Sequence, residues 1–181
     1  MVIVTGAPAS GKSTIARQLA TRLGMPLFSK DLFKETLFDE LGWSDRQWSQ
    51  RLGGASMALL FRSAAAVLEA GHSVMIESNF YPELSLPPLR QLADRFACRF
   101  LQVVCTASTS SLLERYERRI TTGERHPGHT ESESLDEVLS RIVNGRWDAL
   151  DLDGPVITVD TDQNEMPDID ALAATVLAVL R

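Results

Sequence analysis

The chain has 181 residues, 44% of them hydrophobic and 23% charged, with a formal net charge of −6 at pH 7. That length suits one domain with a three-layer core, and the ordinary apolar content excludes disordered and fibrous classes. The acidic balance argues against a broad nucleic-acid-binding face, though not against a local basic pocket.

The chain opens on MVIVTGAPASGKST. Val2, Ile3 and Val4 predict a strand that runs into Gly6, Ala7, Pro8, Ala9, Ser10, Gly11, Lys12 and Ser13, which fit the phosphate-loop pattern G-x-x-x-x-G-K-[ST] at every defined position. Polyphosphate carries dense negative charge, and a glycine-rich turn ahead of a helix offers it inward N–H groups and the positive end of a dipole. Lys12 can reach the outer phosphates and the Ser13 hydroxyl can sit on Mg²⁺. After Thr14, the residues Ile15, Ala16, Leu19, Ala20 and Leu23 follow at helical spacing, and Gly24 closes the helix.

Met25 to Ser29 predicts a second strand ending at Lys30 and Asp31. Phe33, Leu37, Phe38 and Leu41 mark a helix that Gly42 stops, and Ser44 with Gln47 gives a capping box for the next, which runs to Gly71. Gly53 and Gly54 inside that helix cost about 1 kcal/mol each relative to alanine, a hint of close packing or a ligand. Ser73 to Ile76 predicts a third strand, ending at Glu77, Ser78 and Asn79. Pro87 and Pro88 are placed in the first turn of a helix through Leu89, Leu92 and Phe96.

Arg99 to Cys105 predicts a fourth strand, and Ser108 opens a helix with Leu112, Leu113 and Tyr116. Thr121 to Ser132 is the most polar loop; Ser134 with Glu137 gives a capping box for a helix bearing Leu135, Val138, Leu139, Ile142 and Val143. Pro155 to Val159 predicts a fifth strand, and Ile169, Leu172, Val176 and Leu180 a last helix. Cys98 and Cys105 form no disulfide framework and read as small buried apolar residues. No apolar run approaches a membrane span and no signal peptide is evident, so a cytoplasmic protein without membrane association is expected.

Mostly apolar strands alternating with helices predict an α/β fold with a parallel sheet covered on both faces, and ligands bind at the carboxyl ends of such strands. Those ends are Gly6 to Thr14, Ser29 to Asp31, Glu77 to Asn79, Thr106 and Asp160. Asp31 can take the proton of an attacking hydroxyl, hold metal, or simply cap its helix, and Lys34 one turn on can fix the acceptor. Glu77 stands where phosphate-loop proteins place a carboxylate for Mg²⁺, here directly, through water, or as a substrate contact. Asn79 can bind an acceptor hydroxyl or serve a turn.

Arg115, Arg118 and Arg119 share part of one helix face, and Arg125 follows in the polar loop. Arginines on a mobile lid, about residues 115–132, can cover a migrating phosphoryl group; the alternative is a solvated face paired with Glu114 and Glu117. His126 and His129 in the segment HPGH lack a third ligand at metal spacing, leaving substrate contact at the mouth of the site or a plain turn.

With these residues in view, the chain resembles the small P-loop kinases, an AAA-type ATP-binding group. It contains shikimate, gluconate and adenylylsulfate kinases, chloramphenicol phosphotransferase, zeta toxins and the kinase module of polynucleotide kinases. GAPASGKST, the Asp31-x-x-Lys34 pair, IESNF and the Arg115, Arg119 pair carry the resemblance. It implies one three-layer P-loop NTPase domain over 1–181 with a short lid and a five-stranded parallel sheet of order 2-3-1-4-5. It also implies an ATP- and Mg²⁺-dependent phosphotransferase with Asp31 as general base and lid arginines on the transferring phosphate or stacked on adenine. Lys34 replaces the arginine that polynucleotide kinases often carry, and Glu77 the more usual aspartate.

The expected activity is transfer of the γ-phosphoryl group of ATP, or another NTP, to a hydroxyl of a small molecule such as a sugar acid, nucleoside or antibiotic. Lys12, Asp31 and Arg119 are the expected catalytic residues. The alternatives are a polynucleotide 5′-hydroxyl kinase and a nucleotide-dependent switch or assembly factor; monomer and homodimer are both open.

Overall fold

The computed structural model describes residues 1–123, 125–130, 135–145, 147–162 and 167–180. Val2–Gly6 forms β1, buried at every position, and Lys12–Leu23 forms α1. Leu27–Ser29 (β2) leads directly into Lys30–Leu41 (α2) and then Arg46–Glu69 (α3). Met75–Glu77 is β3, Pro82–Phe96 is α4, Leu101–Thr106 is β4 and Thr109–Thr122 is α5. A 3-10 turn over Pro127–His129, α6 (Leu135–Asn144), β5 (Val156–Asp160) and α7 (Ile169–Leu180) complete the described elements.

The five strands are all parallel, in the order β2-β3-β1-β4-β5. That is the expected three-layer α/β arrangement. Val2, Val4, Met75, Leu101 and Val103 face Ile15, Leu19, Leu172 and Val176 of α1 and α7. On the opposite face Ile3, Ile76 and Phe100 pack with Leu60, Ala64, Leu89 and Leu92 of α3 and α4. Alternate residues of one strand thus enter two different cores, which is why the strands read as continuous apolar runs. A third cluster joins Ala7 of the phosphate loop to Leu112 and Tyr116 of α5 and Ile142 of α6.

By length and composition α3 reaches the measure of a membrane span, which the short uninterrupted apolar runs of the sequence do not suggest. Its buried stripe, Leu52, Ser56, Leu60 and Ala64, faces the interior of the protein.

Two helix starts differ from expectation. The N-cap of α3 is Asp45 rather than Ser44: its Oδ1 accepts from the Trp48 amide at 2.8 Å, which a serine one residue earlier cannot reach. Helix α4 begins at Pro82, five residues before Pro87, because Tyr81 is extended and its carbonyl accepts from Leu84 and Ser85. Pro87 and Pro88 then lie inside the helix. The carbonyls they leave without donors belong to Glu83 and Leu84, which are exposed to solvent. The capping residue assigned at Ser134 lies outside the described residues.

One connection was invisible in the sequence pattern. Gln102 of β4 is fully buried, and its amide donates to the Leu150 carbonyl at 3.0 Å while accepting from the Leu150 N–H at 2.8 Å. A side chain thereby completes the backbone hydrogen bonding of the segment before β5.

Candidate active site

The phosphate loop is shaped by backbone conformations that only some residues adopt. Gly6 has φ of +149°, and a β-carbon there would lie 2.3 Å from the Cys105 carbonyl oxygen, so no side chain fits. Ala9 adopts φ of 63° and Gly11 77°, and the Ser10 amide closes the turn on the Ala7 carbonyl at 3.2 Å. Gly11 is the N-cap of α1 and brings no capping side chain, so the first N–H groups of the helix are left to a ligand. Ser10 is fully buried beneath the loop, whereas Ser13 and Thr14 are exposed on the first turn.

A cavity of about 720 Å³ opens beside this loop. Pro8, Lys12 and Ser13 line one end, and Ser29, Asp31, Glu77 and Asn79, from the ends of β2 and β3, line the floor. The other two strand ends serve the loop indirectly. Thr161, just after β5, donates from Oγ1 to the Ser10 carbonyl at 3.1 Å and lies near the Thr106 carbonyl at 2.9 Å. Arg115 in turn donates to Thr161 Oγ1 at 3.1 Å and to its carbonyl at 2.5 Å. This places Arg115 on the flank of the loop away from Asp31.

Lys12 is buried and donates to the Ala7 carbonyl at 3.2 Å. Burial pulls its pKa down, and Arg125 and Arg119 add to this, while Glu77 and Asp31 oppose it. Bound phosphates would favour its charged form. Glu77 is 2% exposed; Oε1 accepts from Ser13 Oγ at 3.2 Å and Oε2 from Ser29 Oγ at 2.6 Å. This hard oxygen set fits Mg²⁺, which takes few protein ligands beside water and phosphate. Among the described residues no group of three or more His, Cys, Asp or Glu side chains is gathered as a metal cage.

Asp31 sits in the first turn of α2, whose N-cap, Ser29, makes no side-chain capping bond. Its carboxylate pairs with Arg125 and, at 3.0 Å, with Lys30. Burial pushes its pKa up, but Arg125, Lys30, His129 and Lys12 outweigh burial and hold it well below the usual carboxylate range. The Asp31-x-x-Lys34 spacing does not produce a pair: Lys34 instead donates to Ser49 Oγ at 2.8 Å and lies 5.2 Å from the Phe38 ring centre.

The arginines divide. Arg119 lines the cavity with its guanidinium 4.9 Å from the Tyr116 ring centre, and Arg125 lines it on Asp31. Arg118 is exposed and outside the lining, because α5 turns the buried Tyr116 inward and Arg118 lies on the other side of the helix. The histidines divide too. His129 is buried, lines the cavity and binds Glu35 at 2.8 Å, whereas His126 lies away from it, stacked on Phe38 and 3.1 Å from Asp39. Each imidazole therefore has a separate carboxylate partner on α2.

Several lining residues escaped the sequence reading: Arg17, Arg46, Ser49, Tyr81, Ser85, Glu137 and Arg141. Arg46 of α3 and Arg141 of α6 both bind Glu137, at 2.9 and 2.6 Å. Among the described residues, eight lysine or arginine side chains and four acidic ones line the cavity of an acidic protein.

A phosphate loop at β1, a carboxylate at β3 and sheet order β2-β3-β1-β4-β5 define an α/β P-loop protein with the kinase fold. The AAA domain family profile matches residues 1–143, and the chain belongs to that family. Among solved structures, a candidate kinase from Chloroflexus aurantiacus J-10-fl is 42% identical over 99% of this chain and 97% of its own, with a TM-score of 0.93. Kti12 of Chaetomium thermophilum, solved with ADP-AlF3, is 17% identical over 99% and 98% of the two chains, with a TM-score of 0.68. The APS kinase of Mycobacterium tuberculosis, solved with AMPPNP and APS, is 20% identical over 99% and 95%, with a TM-score of 0.53. These last two share the fold. No curated protein matches the sequence.

Proposed function

We propose that this protein is an ATP- and Mg²⁺-dependent kinase that transfers the γ-phosphoryl group to a hydroxyl of a small molecule. The observation that carries this reading is that the phosphate loop and an ionised Asp31 open into one cavity. A switch needs the loop; it has no use for a carboxylate facing a space large enough for a second substrate.

Lys12 and the free N–H groups of α1 hold the donor phosphates, with Arg115 beside the loop toward the nucleoside. Ser13 and Glu77 hold Mg²⁺, which supplies charge neutralisation on the phosphates when bound. The acceptor hydroxyl, oriented by Asp31 and Asn79, forms the new oxygen–phosphorus bond as the bond to the leaving ADP oxygen breaks. Asp31 takes the hydroxyl proton and returns it to solvent. Arg119 and Arg125 balance the charge of the moving group, Arg125 passing from Asp31 to the phosphate as the segment after α5 closes.

The test is ADP release and product formation with Mg-ATP across a panel of hydroxyl compounds that also contains 5′-hydroxyl oligonucleotides. Acceptor-dependent turnover by the wild type, lost in Asp31→Asn, is expected. Turnover that ignores every acceptor and survives Asp31→Asn would overturn the reading in favour of a switch.

A further inference from the structure

The end of the cavity away from the phosphate loop lies between α2, α3, α4 and α6, and its features do not serve phosphoryl transfer. Lys34 is 5% exposed, and its ammonium donates to Ser49 Oγ; no acidic side chain pairs with it among the described residues. Burial of an ammonium without a counter-charge is costly, so such a group is retained for a partner that arrives later. Burial, with Lys30, Arg46 and Arg125, lowers its pKa to about 7, and Asp31 only partly opposes them.

Three further observations point to the same place. Ser85 of α4 is 1% exposed and lines the cavity, and among the described residues its hydroxyl has no hydrogen-bond partner. Among the described residues Arg46 and Arg141 share one carboxylate, Glu137, two cations to one anion, and Arg46 Nε is buried without a partner. Gly53 and Gly54 line the cavity in mid-helix although neither has a positive φ. A β-carbon on Gly54 would meet nothing within 4 Å, and one on Gly53 would make ordinary contact with Lys34 at 3.8 Å. Packing within the protein therefore does not require either glycine, and two poor helix formers in mid-helix leave an open floor.

We propose that this end is the seat of an oxyanion carried by the acceptor: a hydroxy compound bearing a carboxylate, sulfate or phosphate, held over Gly53 and Gly54 by Lys34, Arg46 and Ser85. The inference rests on the kinase reading and deepens it by naming the class of acceptor. The anion restores the Lys34 charge and takes the unused Ser85 donor, and it orients the hydroxyl toward Asp31. Neutral polyols and sugars lack this hold.

The test is calorimetric titration of sulfate at pH 6.5 into protein whose phosphate loop is filled by Mg-AMPPNP, repeated without nucleotide on Lys12→Ala. One sulfate is expected to bind in both, and Lys34→Met or Gly54→Leu weakens it at least about tenfold, the loss of a hydrogen bond to a charged group. Gly54→Leu replaces a poor helix former and tests the seat by filling its floor, with the Lys34 ammonium left in place. No binding, or binding indifferent to both substitutions, overturns the seat whatever the enzyme does. A separate acceptor panel compares sugar acids, sugar phosphates, neutral sugars and 5′-hydroxyl oligonucleotides by KM. Preference for either anionic small molecule supports the proposal and tells carboxylate from phosphate; preference for neutral sugars or oligonucleotides overturns it. Sulfate bound at the seat with no acceptor phosphorylated would instead remove the kinase reading and leave the anion seat standing.

Discussion

The carboxylate of Asp31 and the guanidinium of Arg125, 94 positions apart in the chain, are joined as an ion pair at the cavity. The pair ties the start of α2 to the segment that follows α5. It also keeps the proposed base ionised and weakly basic until the arginine finds a better anion.

Removing the base should slow transfer while sparing the donor site. Asp31→Asn is expected to lower kcat by about 10²- to 10⁴-fold, the usual contribution of a positioned general base. The Kd for Mg-AMPPNP, read by calorimetry, should stay within a few-fold of wild type.

Arg125→Ala separates the two roles of the pair. Loss of a cation on the phosphoryl group should cost about 10²- to 10³-fold in kcat. Arg125 is the main group depressing the Asp31 pKa, so without it that pKa rises toward the ordinary value. The acid limb of the kcat/KM profile, which reports Asp31 in the free enzyme where Arg125 pairs with it, should move to higher pH in the variant. A limb that stays in place would mean that Lys30 and Lys12 hold Asp31 without help.

Lys34 gives a pH dependence of opposite sense. Its pKa falls from 10.5 unfolded to about 7 in the fold, so the unfolded chain binds the extra proton between those values. Stability from this group therefore rises with pH across that window and is lowest below it. Lys34→Met should stabilise the protein at pH 6 by about 1–4 kcal/mol, the range seen when buried ionic groups yield to apolar ones. The gain should shrink toward pH 10, as measured by urea unfolding. Over the same range the wild-type KM for an anionic acceptor should climb above pH 7 as Lys34 loses its proton.

What could be read from the sequence follows from how local the information is. The phosphate loop, Asp31 and Glu77 each sit in a short motif or directly after an apolar run, so spacing alone located them. Arg46, Ser85 and Arg141 lie on helices that look like ordinary solvated surfaces, and only the meeting of α3, α4 and α6 turns them inward. Arg115, Arg118 and Arg119 were grouped by helical spacing, yet the burial of Tyr116 sets the rotation of α5 and sends Arg118 outward. Gln102 reads as an interruption in an apolar strand because its partner, the Leu150 backbone, is 48 residues away.

That partnership carries its own test. Gln102→Leu keeps the volume and removes both hydrogen bonds, leaving the Leu150 N–H and carbonyl buried and unserved. The expected loss is about 1–3 kcal/mol of stability with nucleotide affinity unchanged, as measured by denaturant unfolding and calorimetry.

The HPGH turn can be tested through its glycine. A β-carbon on Gly128 would lie 2.6–2.8 Å from three atoms of the Phe38 ring, too close for the two to coexist unmoved. His126 accepts from the Gly128 amide through Nδ1, so its Nε2 carries the proton and donates to Asp39. His129 lies edge-on to Phe38 and reaches Glu35, so α2 holds the turn by two imidazole bonds with the glycine pressed on the ring. Gly128→Ala must lift the turn from Phe38, and Arg125, three residues earlier, then loses its approach to Asp31. The expected result is faster limited proteolysis between residues 122 and 130, with kcat/KM down about 10- to 100-fold, as befits a small displacement of a positioned group. Pairing Gly128→Ala with Phe38→Leu, which makes room for the methyl group, should recover much of both losses. A turn that stays protected in the single variant would mean that Phe38 yields instead, and the two histidine bonds alone would then account for the docking.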